Sequence, residues 1–334
     1  MTTELSPEIL IVSTKVDLAT DHVVNKLRKL GVSLYRINTE DLPLLATSNV
    51  TLGSSHPTSW SWATGYKKVN LDTVRSIWFR RHRLPILPGE VATQDVEYSL
   101  REAEWFLKGA LYSIGDLDYP MKWMSHPAKI QMAESKIHQL SVAQSLGMAV
   151  PDTLISNDPQ SVRGFFKQKG GEVVAKPLRL GYFDYGDRQT AVFTSRVAEN
   201  DLSEDASIRI APVIYQELIP KLFDIRVTVV GRQLFAAAID SQSDPSAVLD
   251  WRRTDNEDLP HYAHDLPAQV HDACLNYMDA LGLNFGALDF VLTPRNEYIF
   301  LEVNPNGQWV WIEEKLAFPI AEAIATWLID RSKD

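Results

Sequence analysis

The sequence has a single cysteine, Cys274, and it lacks long apolar runs. One cysteine excludes an intramolecular disulfide and a zinc site built from several thiolates, and it fits a reducing cytoplasm. No run of 18 or more apolar residues occurs, so no membrane span is expected. Residues 1–7 lack the basic start and apolar stretch of a signal peptide, and we therefore expect a cytoplasmic protein.

Positive charge is outweighed by negative charge, because 33 Lys and Arg stand against 43 Asp and Glu and the net charge is −10. A general nucleic-acid binder needs a basic surface to displace phosphate counterions, so we expect no nucleic-acid partner. A local basic patch over an anionic nucleotide stays open. The hydrophobic share of 45% and the charged share of 23% are those of an ordinary globular protein. A chain of 334 residues should hold two or three domains.

The glycine fingerprint of dinucleotide-binding proteins is missing at the start of the chain. Residues 8–13 predict a buried strand, residues 21–30 a helix capped by Asp21, and residues 32–37 a second strand. This order predicts a parallel sheet with a right-handed crossover. Residues 14–17 stand where the glycines would be, which argues against a dinucleotide site there.

The rest of the chain alternates strands and helices, so the fold class is mixed α/β (α+β). Further strands are predicted at residues 74–80, 172–177 and 214–218, and helices at 96–114, 128–146, 267–281 and 320–333. The predicted division is an N-terminal α/β domain at 1–124, a central subdomain at 125–220 and a C-terminal subdomain at 221–334.

Three oxygen-bearing side chains fall on a predicted hairpin formed by residues 286–292 and 298–305. Glu302 and Asn304 are two residues apart and share one face of a strand, and Asp289 on the partner strand lies within cross-strand reach. Oxygen donors without Cys or His suit Mg²⁺. A solvated polar face is the alternative, but Asp289 and Glu302 interrupt apolar strands, where an unpaired carboxylate is costly. The pattern favours a metal site.

Several polar residues could bind a nucleotide, although each also has an ordinary structural interpretation. Lys176 ends an apolar strand and Lys136 lies on a predicted helix, but either could be a solvated surface lysine. The glycine-bearing segment 178–189 could cover phosphates as a lid or be an ordinary hairpin turn, and it matches no P-loop pattern. Glu217 could accept a hydrogen bond from a ribose hydroxyl, or it could simply mark the exit of a strand.

Two arginines are candidates for holding a phosphate. Arg226 shares one face of an apolar strand with Asp224, so an internal salt bridge between them is the structural interpretation. The functional interpretation gives the planar guanidinium of Arg226 a phosphate or an acyl phosphate to bind. Arg252 adds positive charge beside Trp251, although the same residues could form a plain surface loop.

The order of these residues resembles the ATP-grasp superfamily and, within it, the graspetide maturases, which are macrocyclases that make microviridin-type peptides. The resemblance extends over about residues 8–330 and is carried by residues 77–81, 136–151, 224–226, 250–252 and 300–309. It implies an ATP-grasp architecture, in which residues 1–124 form a Rossmann-like pre-ATP-grasp domain, followed by a central small domain and a C-terminal ATP-grasp domain.

The resemblance implies that ATP and two Mg²⁺ ions are the cofactors. Lys136 and Lys176 would contact the phosphates, Glu217 and Leu218 would line the adenosine pocket, and Asp224 would lie near the ribose.

It also implies the catalytic and metal-binding residues. Arg226 and Arg252 would hold the transferring phosphate and the acyl phosphate. Asp289, Glu302 and Asn304 would bind the two Mg²⁺ ions.

A precursor peptide with a leader and a core is the partner that the resemblance implies, and a homodimer is expected from the family alone. The leader would dock on a helix and a hairpin of the central domain, with the helix expected at residues 197–205. Candidates for peptide contact are Glu199 and Asp201 for the leader, and Arg80, Arg81 and Trp251 for the substrate more generally.

The implied reaction is an ADP-forming ligation. A side-chain carboxylate of an Asp or Glu in the peptide becomes an acyl phosphate, which a Thr or Ser hydroxyl converts to an ester or a Lys amine to an amide. No protein nucleophile is required. Two alternatives stay open: an ATP-grasp ligase of a free amino acid or small peptide, similar to the ribosomal-protein glutamate ligases, and a non-catalytic peptide-binding homologue. The intact Asp289, Glu302 and Asn304 argue against the last.

Overall fold

The computed structural model describes residues 3–113, 121–179, 182–184, 189–253 and 259–333, and it describes residues 56–58, 72, 182–184, 189–191 and 331–333 by their backbone alone. Within these ranges, no helix combines the length and the apolar character needed to cross a bilayer.

The N-terminal region contains two sheets. Its elements are β1 (Thr3–Leu5), β2 (Ile9–Ser13), α1 (Leu18–Lys29), β3 (Leu34–Asn38), β4 (Ala46–Gly53), β5 (His56–Thr64), β6 (Lys67–Asn70), β7 (Ser76–Phe79), α2 (Thr93–Ser113) and β8 (Lys122–Trp123). One sheet is parallel with the order β3-β2-β7-β8, which confirms the predicted β-α-β start. The other has the order β1-β6-β5-β4, and none of its strands was predicted from the sequence. The alternation of buried Trp60 and Trp62 around Ser61 is the pattern in the sequence that indicates a strand here.

Helix α1 begins three residues earlier than predicted, because its N-cap is Asp17 rather than Asp21. The Asp17 carboxylate makes no cap bond and instead accepts hydrogen bonds from the hydroxyls of Ser13, at 2.9 Å, and Thr20, at 3.1 Å. Burial of Ala19 extends the apolar face of the helix upstream of Asp21.

The central region is an antiparallel sheet covered on one face by helix. Its elements are α3 (Pro127–Ala133), α4 (Lys136–Ser145), β9 (Thr153–Ser156), α5 (Pro159–Gln168), β10 (Val173–Lys176), β11 (Tyr182–Asp184), β12 (Gln189–Ala191), β13 (Ser195–Arg196), α6 (Asp205–Arg209) and β14 (Val213–Glu217). The sheet order is β13-β10-β14-β9. Val162 of α5 packs in one core with Val173 and Tyr215, which fixes the covered face.

The predicted single helix at 128–146 is wrong, since two helices, α3 and α4, replace it. The chain breaks between them because the hydroxyl of Ser135 caps α4 by accepting the His138 N–H at 3.4 Å. The break places Lys136 at the first position of a new helix. The helix expected at 197–205 is also different: a 3₁₀ turn covers Glu199–Leu202, and α6 follows.

The C-terminal region is a five-stranded antiparallel sheet with helices. Its elements are β15 (Phe223–Val230), β16 (Gln233–Ile239), β17 (His261–Ala263), α7 (Ala268–Leu281), β18 (Phe285–Leu292), β19 (Tyr298–Asn304), α8 (Val310–Leu316) and α9 (Ile320–Lys333). The sheet order is β17-β16-β15-β18-β19. The predicted hairpin, now β18 and β19, and the predicted helices α7 and α9 are confirmed.

Elements near the two ends of the described chain share a hydrophobic core. Ile9 and Trp78 of the parallel sheet and Val23 of α1 are buried in one cluster with Ile324 and Leu328 of α9. The N-terminal parallel sheet is therefore covered by the C-terminal helix α9. Apolar packing joins the predicted N-terminal domain to the predicted C-terminal subdomain. The boundaries at 124 and 220 stay a prediction.

Candidate active site

A row of charged side chains crosses three neighbouring strands of the C-terminal sheet. Arg226 on β15 lies opposite Asp289 on β18, which in turn lies opposite Glu302 on β19. Directly paired residues share one face of a sheet, with Cβ atoms about 4.5–5.5 Å apart. The Nη1 atom of Arg226 lies 2.6 Å from Oδ2 of Asp289. The predicted meeting of Asp289 and Glu302 is thus confirmed, and Arg226 pairs with Asp289 rather than with Asp224.

Glu302 is surrounded by cations from three other parts of the chain. The Lys136 ammonium lies 2.6 Å from its Oε2 atom, and Nη1 of Arg252 lies 3.6 Å from its Oε1 atom. Burial raises the pKa of Glu302, but Lys136, and then Arg252 and Lys176, outweigh it and hold the pKa at about 2. Glu302 is therefore ionised across the physiological range.

Helix α4 is fixed to the strand that carries Glu302 by one buried side chain, Gln139. Its Nε2 donates to the carbonyl of Val303 at 2.9 Å, and its Oε1 accepts from the Val303 N–H at 3.1 Å. Gln139 is one helical turn after Lys136, so this pair of bonds turns Lys136 toward Glu302. Gln139 had no role predicted from the sequence. Only its spacing of three residues from Lys136 indicates, in the sequence, that the two side chains share one face of a helix.

Lys176 ends β10 and reaches the same cluster from the central sheet. Burial is the main cause that lowers its pKa, to about 8, while Glu302 opposes this shift. A lysine with so low a pKa lies in a site that favours an additional negative charge, such as a phosphate oxygen, beside it.

Arg252 is held on the other side by Asp250, a residue that had no role predicted from the sequence. The Nε and Nη2 atoms of Arg252 donate to the two carboxylate oxygens of Asp250 at 2.8 and 2.9 Å. Trp251 packs against Trp311 with ring centroids 5.0 Å apart. The bidentate bond leaves Nη1 of Arg252 directed at Glu302.

A small cavity lies where these elements meet. Its lining includes Lys176, Trp251, Arg252, Asp289 and Glu302, and its volume is about 60 Å³. Ligand pockets usually measure about 300–1,000 Å³, so this cavity by itself is too small for a nucleotide.

Asn304, the third predicted metal ligand, is exposed at the end of β19, opposite Ala287. The chain then turns back, because the Gly307 N–H donates to the Asn304 carbonyl at 3.1 Å. A Cβ at Gly307 would lie 2.5 Å from the Ala287 Cβ and 2.8 Å from Nη2 of Arg226. Only glycine lets this turn approach the charged row so closely.

The predicted nucleotide residues Asp224, Glu217 and Leu218 lie outside that row. Asp224 pairs with Lys221, with Nζ 3.0 Å from Oδ2, and burial raises its pKa. Glu217 pairs with Lys169 at 3.1 Å and lies opposite Val173, on the helix-covered face of the central sheet, whereas Lys176 lies on the other face. The Leu218 N–H donates to the Glu172 carbonyl. Their contacts with a nucleoside stay predictions.

Of the predicted substrate residues, Arg80 is buried and Arg81 is partly exposed. Arg80 is fully buried, donating to the Asn306 carbonyl and, at 2.9 Å, to Oε1 of Gln308, so it supports the turn after β19 rather than facing a peptide. Burial lowers its pKa to about 10. Arg81 is partly exposed and lies 3.5 Å from Asp17.

The two acidic candidates for leader contact lie on the 3₁₀ turn of the central region. Glu199 is exposed, and Asp201 accepts a hydrogen bond from the Ala198 N–H at 2.8 Å, which caps the turn. Half of the candidate lid at 178–189, namely residues 180–181 and 185–188, lies outside the described residues.

The donor set of the row fits a hard cation. Asp289 and Glu302 contribute carboxylates and Asn304 an amide oxygen, which is the ligand chemistry of Mg²⁺. In the described part of the chain, no three His, Cys, Asp or Glu side chains converge as a metal cluster, and Asp224 and Asp250 line the cavity together with Asp289 and Glu302. Asp289 and Glu302 are paired here with Arg226 and Lys136, respectively.

Comparisons with known proteins identify the family of the chain. Residues 8–130 match the family model of the MvdD pre-ATP-grasp domain. The macrocyclase MdnC of Microcystis aeruginosa MRC, solved with its precursor peptide MdnA, is 32% identical with a TM-score of 0.84, and the alignment covers 96% of this chain and 99% of MdnC. A RiPP-associated ATP-grasp ligase of Chryseobacterium gregarium, solved with ADP and a leader and core peptide, is 28% identical with a TM-score of 0.89, covering 99% and 97%.

The macrocyclase MdnB from the same Microcystis strain is 32% identical with a TM-score of 0.79, covering 96% of this chain and 98% of MdnB. No curated protein matches the chain. The fold and the charged row together define an ATP-grasp ligase. The chain belongs to the ATP-grasp family of peptide macrocyclases that modify ribosomally made precursors, the graspetide ligases.

Proposed function

We propose that the protein uses ATP and Mg²⁺ to join side chains within a ribosomal precursor peptide. A carboxylate of an Asp or Glu in the core is activated as an acyl phosphate and closed onto a Thr or Ser hydroxyl, as an ester, or onto a Lys amine, as an amide. The observation that carries the proposal is the in-register row Arg226, Asp289 and Glu302, with Lys136 and Lys176 converging on it.

The carboxylates and the cations of the site have different roles. Asp289, Glu302 and Asn304 are the residues that would hold Mg²⁺, and the bound ion and nucleotide supply charge neutralisation and the phosphoryl group. Lys136 and Lys176 bind phosphate oxygens as ammonium groups. Burial already lowers the pKa of Lys176, so a neighbouring phosphate stabilises its charged form.

The two arginines position the reacting groups. Arg226 is buried on the sheet and presents a planar fork, which suits a phosphate or an acyl phosphate. Arg252 is oriented by its bidentate bond to Asp250, so its Nη1 atom is directed at Glu302. Holding the two reacting groups in place supplies much of the rate acceleration of a ligation, because effective molarities reach about 10⁵ M or more.

The precursor peptide is the partner that this function requires, and the described relatives MdnC and the Chryseobacterium ligase were solved with such peptides. We further propose that its leader binds the central region near Glu199 and Asp201, and that Glu217, Leu218 and Asp224 border the nucleoside once the cleft has opened. A cytoplasmic location and a homodimer belong to the same proposal.

The test is to incubate the purified protein with ATP, Mg²⁺ and a synthetic copy of the precursor peptide encoded beside its gene. We expect one ADP released per bond formed and a loss of one water mass per ring, measured by coupled assay and mass spectrometry. A free-amino-acid ligase would instead add mass to an acceptor, and a non-catalytic homologue would bind the peptide without releasing ADP. Either result would overturn the macrocyclase proposal.

A further inference from the structure

The turn after β19, at residues 305–308, is contacted by one arginine from the N-terminal region and one from the C-terminal region. Nη1 of Arg80, directly after β7, donates to the Asn306 carbonyl, and Nη2 donates to Oε1 of Gln308 at 2.9 Å. Nη2 of Arg226, on β15, donates to the Gln308 carbonyl at 3.4 Å. Gln308 therefore connects Arg80 with the charged row of the candidate active site.

The guanidinium of Arg80 is itself fixed by the N-terminal parallel sheet. The Arg80 N–H donates to the Val12 carbonyl at 2.9 Å, which continues the pairing of β2 with β7. Oδ2 of Asp17 lies 3.8 Å from Nε of Arg80. The same oxygen accepts hydrogen bonds from the hydroxyls of Ser13, at 2.9 Å, and Thr20, at 3.1 Å. The guanidinium is therefore held from behind, with both Nη atoms directed at the turn.

The surroundings of Arg80 do not suit a purely stabilising ion pair. The side chain is fully buried, and burial lowers its pKa against the opposing charge of Asp17. Taking a guanidinium out of water is unfavourable, and a carboxylate that makes no hydrogen bond to it offsets this only in part. Its Nε has no hydrogen-bond partner among the described residues, and both Nη bonds go to uncharged oxygens of the turn.

The turn links two parts of the candidate metal site. It begins directly after Asn304, whose carbonyl accepts a hydrogen bond from the Gly307 N–H at 3.1 Å. A Cβ at Gly307 would lie 2.8 Å from Nη2 of Arg226, so the turn packs closely against that guanidinium. Nη1 of Arg226 in turn lies 2.6 Å from Oδ2 of Asp289. A displaced turn would therefore move Asn304 and the cationic partner of Asp289 together.

We infer that Arg80 is a positioning residue for the metal site, which holds the turn after β19 where Asn304 and the charged row can bind Mg²⁺ together. The inference rests on the metal-binding role proposed for Asn304. Arg80 would act without touching the ion, the nucleotide or the peptide, because its guanidinium is buried and its Nη atoms are occupied by the turn.

The variant Arg80→Lys tests this role, because it keeps a positive charge beside Asp17 and loses the planar fork that makes two bonds to the turn. Isothermal titration with a non-hydrolysable ATP analogue, repeated at stepped Mg²⁺ concentrations, gives the concentration for half-maximal binding. We expect that concentration to rise about tenfold or more, the usual effect of removing a group that orients a metal ligand. Affinity for the analogue in EDTA should match that of wild type.

Arg28→Lys is the matched control, since it makes the same substitution at an exposed arginine of α1 and should keep the Mg²⁺ dependence of wild type. Turnover with the precursor peptide gives a second reading. Excess Mg²⁺ should restore most of the turnover of Arg80→Lys, which a loss of folding would not allow. Circular dichroism of each unliganded variant checks the fold.

The variant Gln308→Ala tests the route, because it removes the Oε1 acceptor of Arg80 and keeps the carbonyl that Arg226 contacts. It should also raise the Mg²⁺ requirement, and Gln308 is exposed, so this arm remains if Arg80→Lys does not fold. The double variant should show less than the sum of the two single effects on the logarithm of that concentration, because both remove one contact. Additive effects would show that Arg80 acts by another route.

The outcomes separate this inference from the proposed function. A folded Arg80→Lys with the Mg²⁺ dependence of wild type would overturn the positioning role and leave the ligase proposal intact. If wild type binds the analogue equally well with and without Mg²⁺, the metal assignment and the positioning role both fall. If wild type requires Mg²⁺ for binding but closes no ring, only the macrocyclase proposal falls.

Discussion

Asp289 and Glu302 face each other across β18 and β19, yet each is held by a different cation from a different part of the chain. Arg226 binds Asp289 from the neighbouring strand, and Lys136 binds Glu302 from the start of α4. Burial raises the pKa of Asp289 despite Arg226, whereas the cations around Glu302 lower its pKa to about 2. The two carboxylates are therefore electrostatically different, and four experiments follow from this difference and from the cluster around them.

Glu302→Gln should lower turnover by more than roughly 100-fold, the upper end of the loss seen for groups that merely support metal ligands. The reason is that Lys136, Arg252 and Lys176 lose their common counter-charge and the candidate metal site loses a carboxylate. ADP release with the precursor peptide measures the effect. Glu297→Gln, in the turn of the same hairpin, is the control and should keep wild-type turnover. Normal rates in Glu302→Gln would remove the metal assignment.

Arg226→Met should cost about 3–5 kcal/mol of unfolding free energy, because it leaves the carboxylate of Asp289 buried without its partner. Adding Asp289→Asn should restore most of that loss, since the uncompensated charge disappears. Urea denaturation of the two single variants and the double variant gives the coupling energy. Additive losses would show that the pair is not energetically linked. Turnover should stay low in all three variants.

Lys176 should make nucleotide affinity depend on pH. Its pKa of about 8 lies below the ordinary value of 10.5, so the ammonium is lost above about pH 8 and affinity for an ATP analogue should fall there. Between pH 8 and 10.5 the unfolded chain binds more protons at this residue, so its contribution to the unfolding free energy rises with pH.

Isothermal titration of the ATP analogue from pH 7 to 9.5 measures this dependence, with Lys176→Arg as the control. The arginine keeps its charge throughout and should flatten the profile. A wild-type profile that is already flat would show that Lys176 does not contact the phosphates.

Gly307→Ala should reduce turnover because the new Cβ would press on the Ala287 Cβ and on the Arg226 guanidinium, at 2.5 and 2.8 Å. Overpacking of this kind costs about 1–3 kcal/mol and would shift Arg226 relative to Asp289. Thermal unfolding and ADP release measure both effects. Gly89→Ala is the control, as nothing lies within 4 Å of its added Cβ. Equal behaviour of the two variants would show that the turn tolerates displacement.

Local patterns were sufficient to predict the hairpin that carries Asp289, Glu302 and Asn304, because strand periodicity alone places the last two on one face. They also predicted the parallel start of the chain and the last helix. They failed at Ser135, where one capping hydroxyl divides an otherwise continuous helical pattern. They failed again at Asp17, because the buried face of α1 extends further upstream than its charges suggest.

The ion pairs of the site could not be derived from the sequence, because they depend on which strands become neighbours. Arg226 has Asp224 two residues away, yet it pairs with Asp289, 63 positions later, since β15 and β18 are adjacent in the sheet. Asp224 instead pairs with Lys221. The same holds for Gln139, whose role appears only once α4 lies against β19.

The packing of α9 against α1 and β7 has a consequence for synthesis on the ribosome. The apolar face of Ile9 and Trp78 is not covered by α9 until Ile324 has been translated, 324 − 9 = 315 residues after Ile9 and 324 − 78 = 246 residues after Trp78. At about 5–20 residues per second, that delay is roughly 12–60 seconds. During this interval the nascent N-terminal sheet exposes a surface that a chaperone would bind, and a fragment ending before α9 would keep that surface exposed permanently.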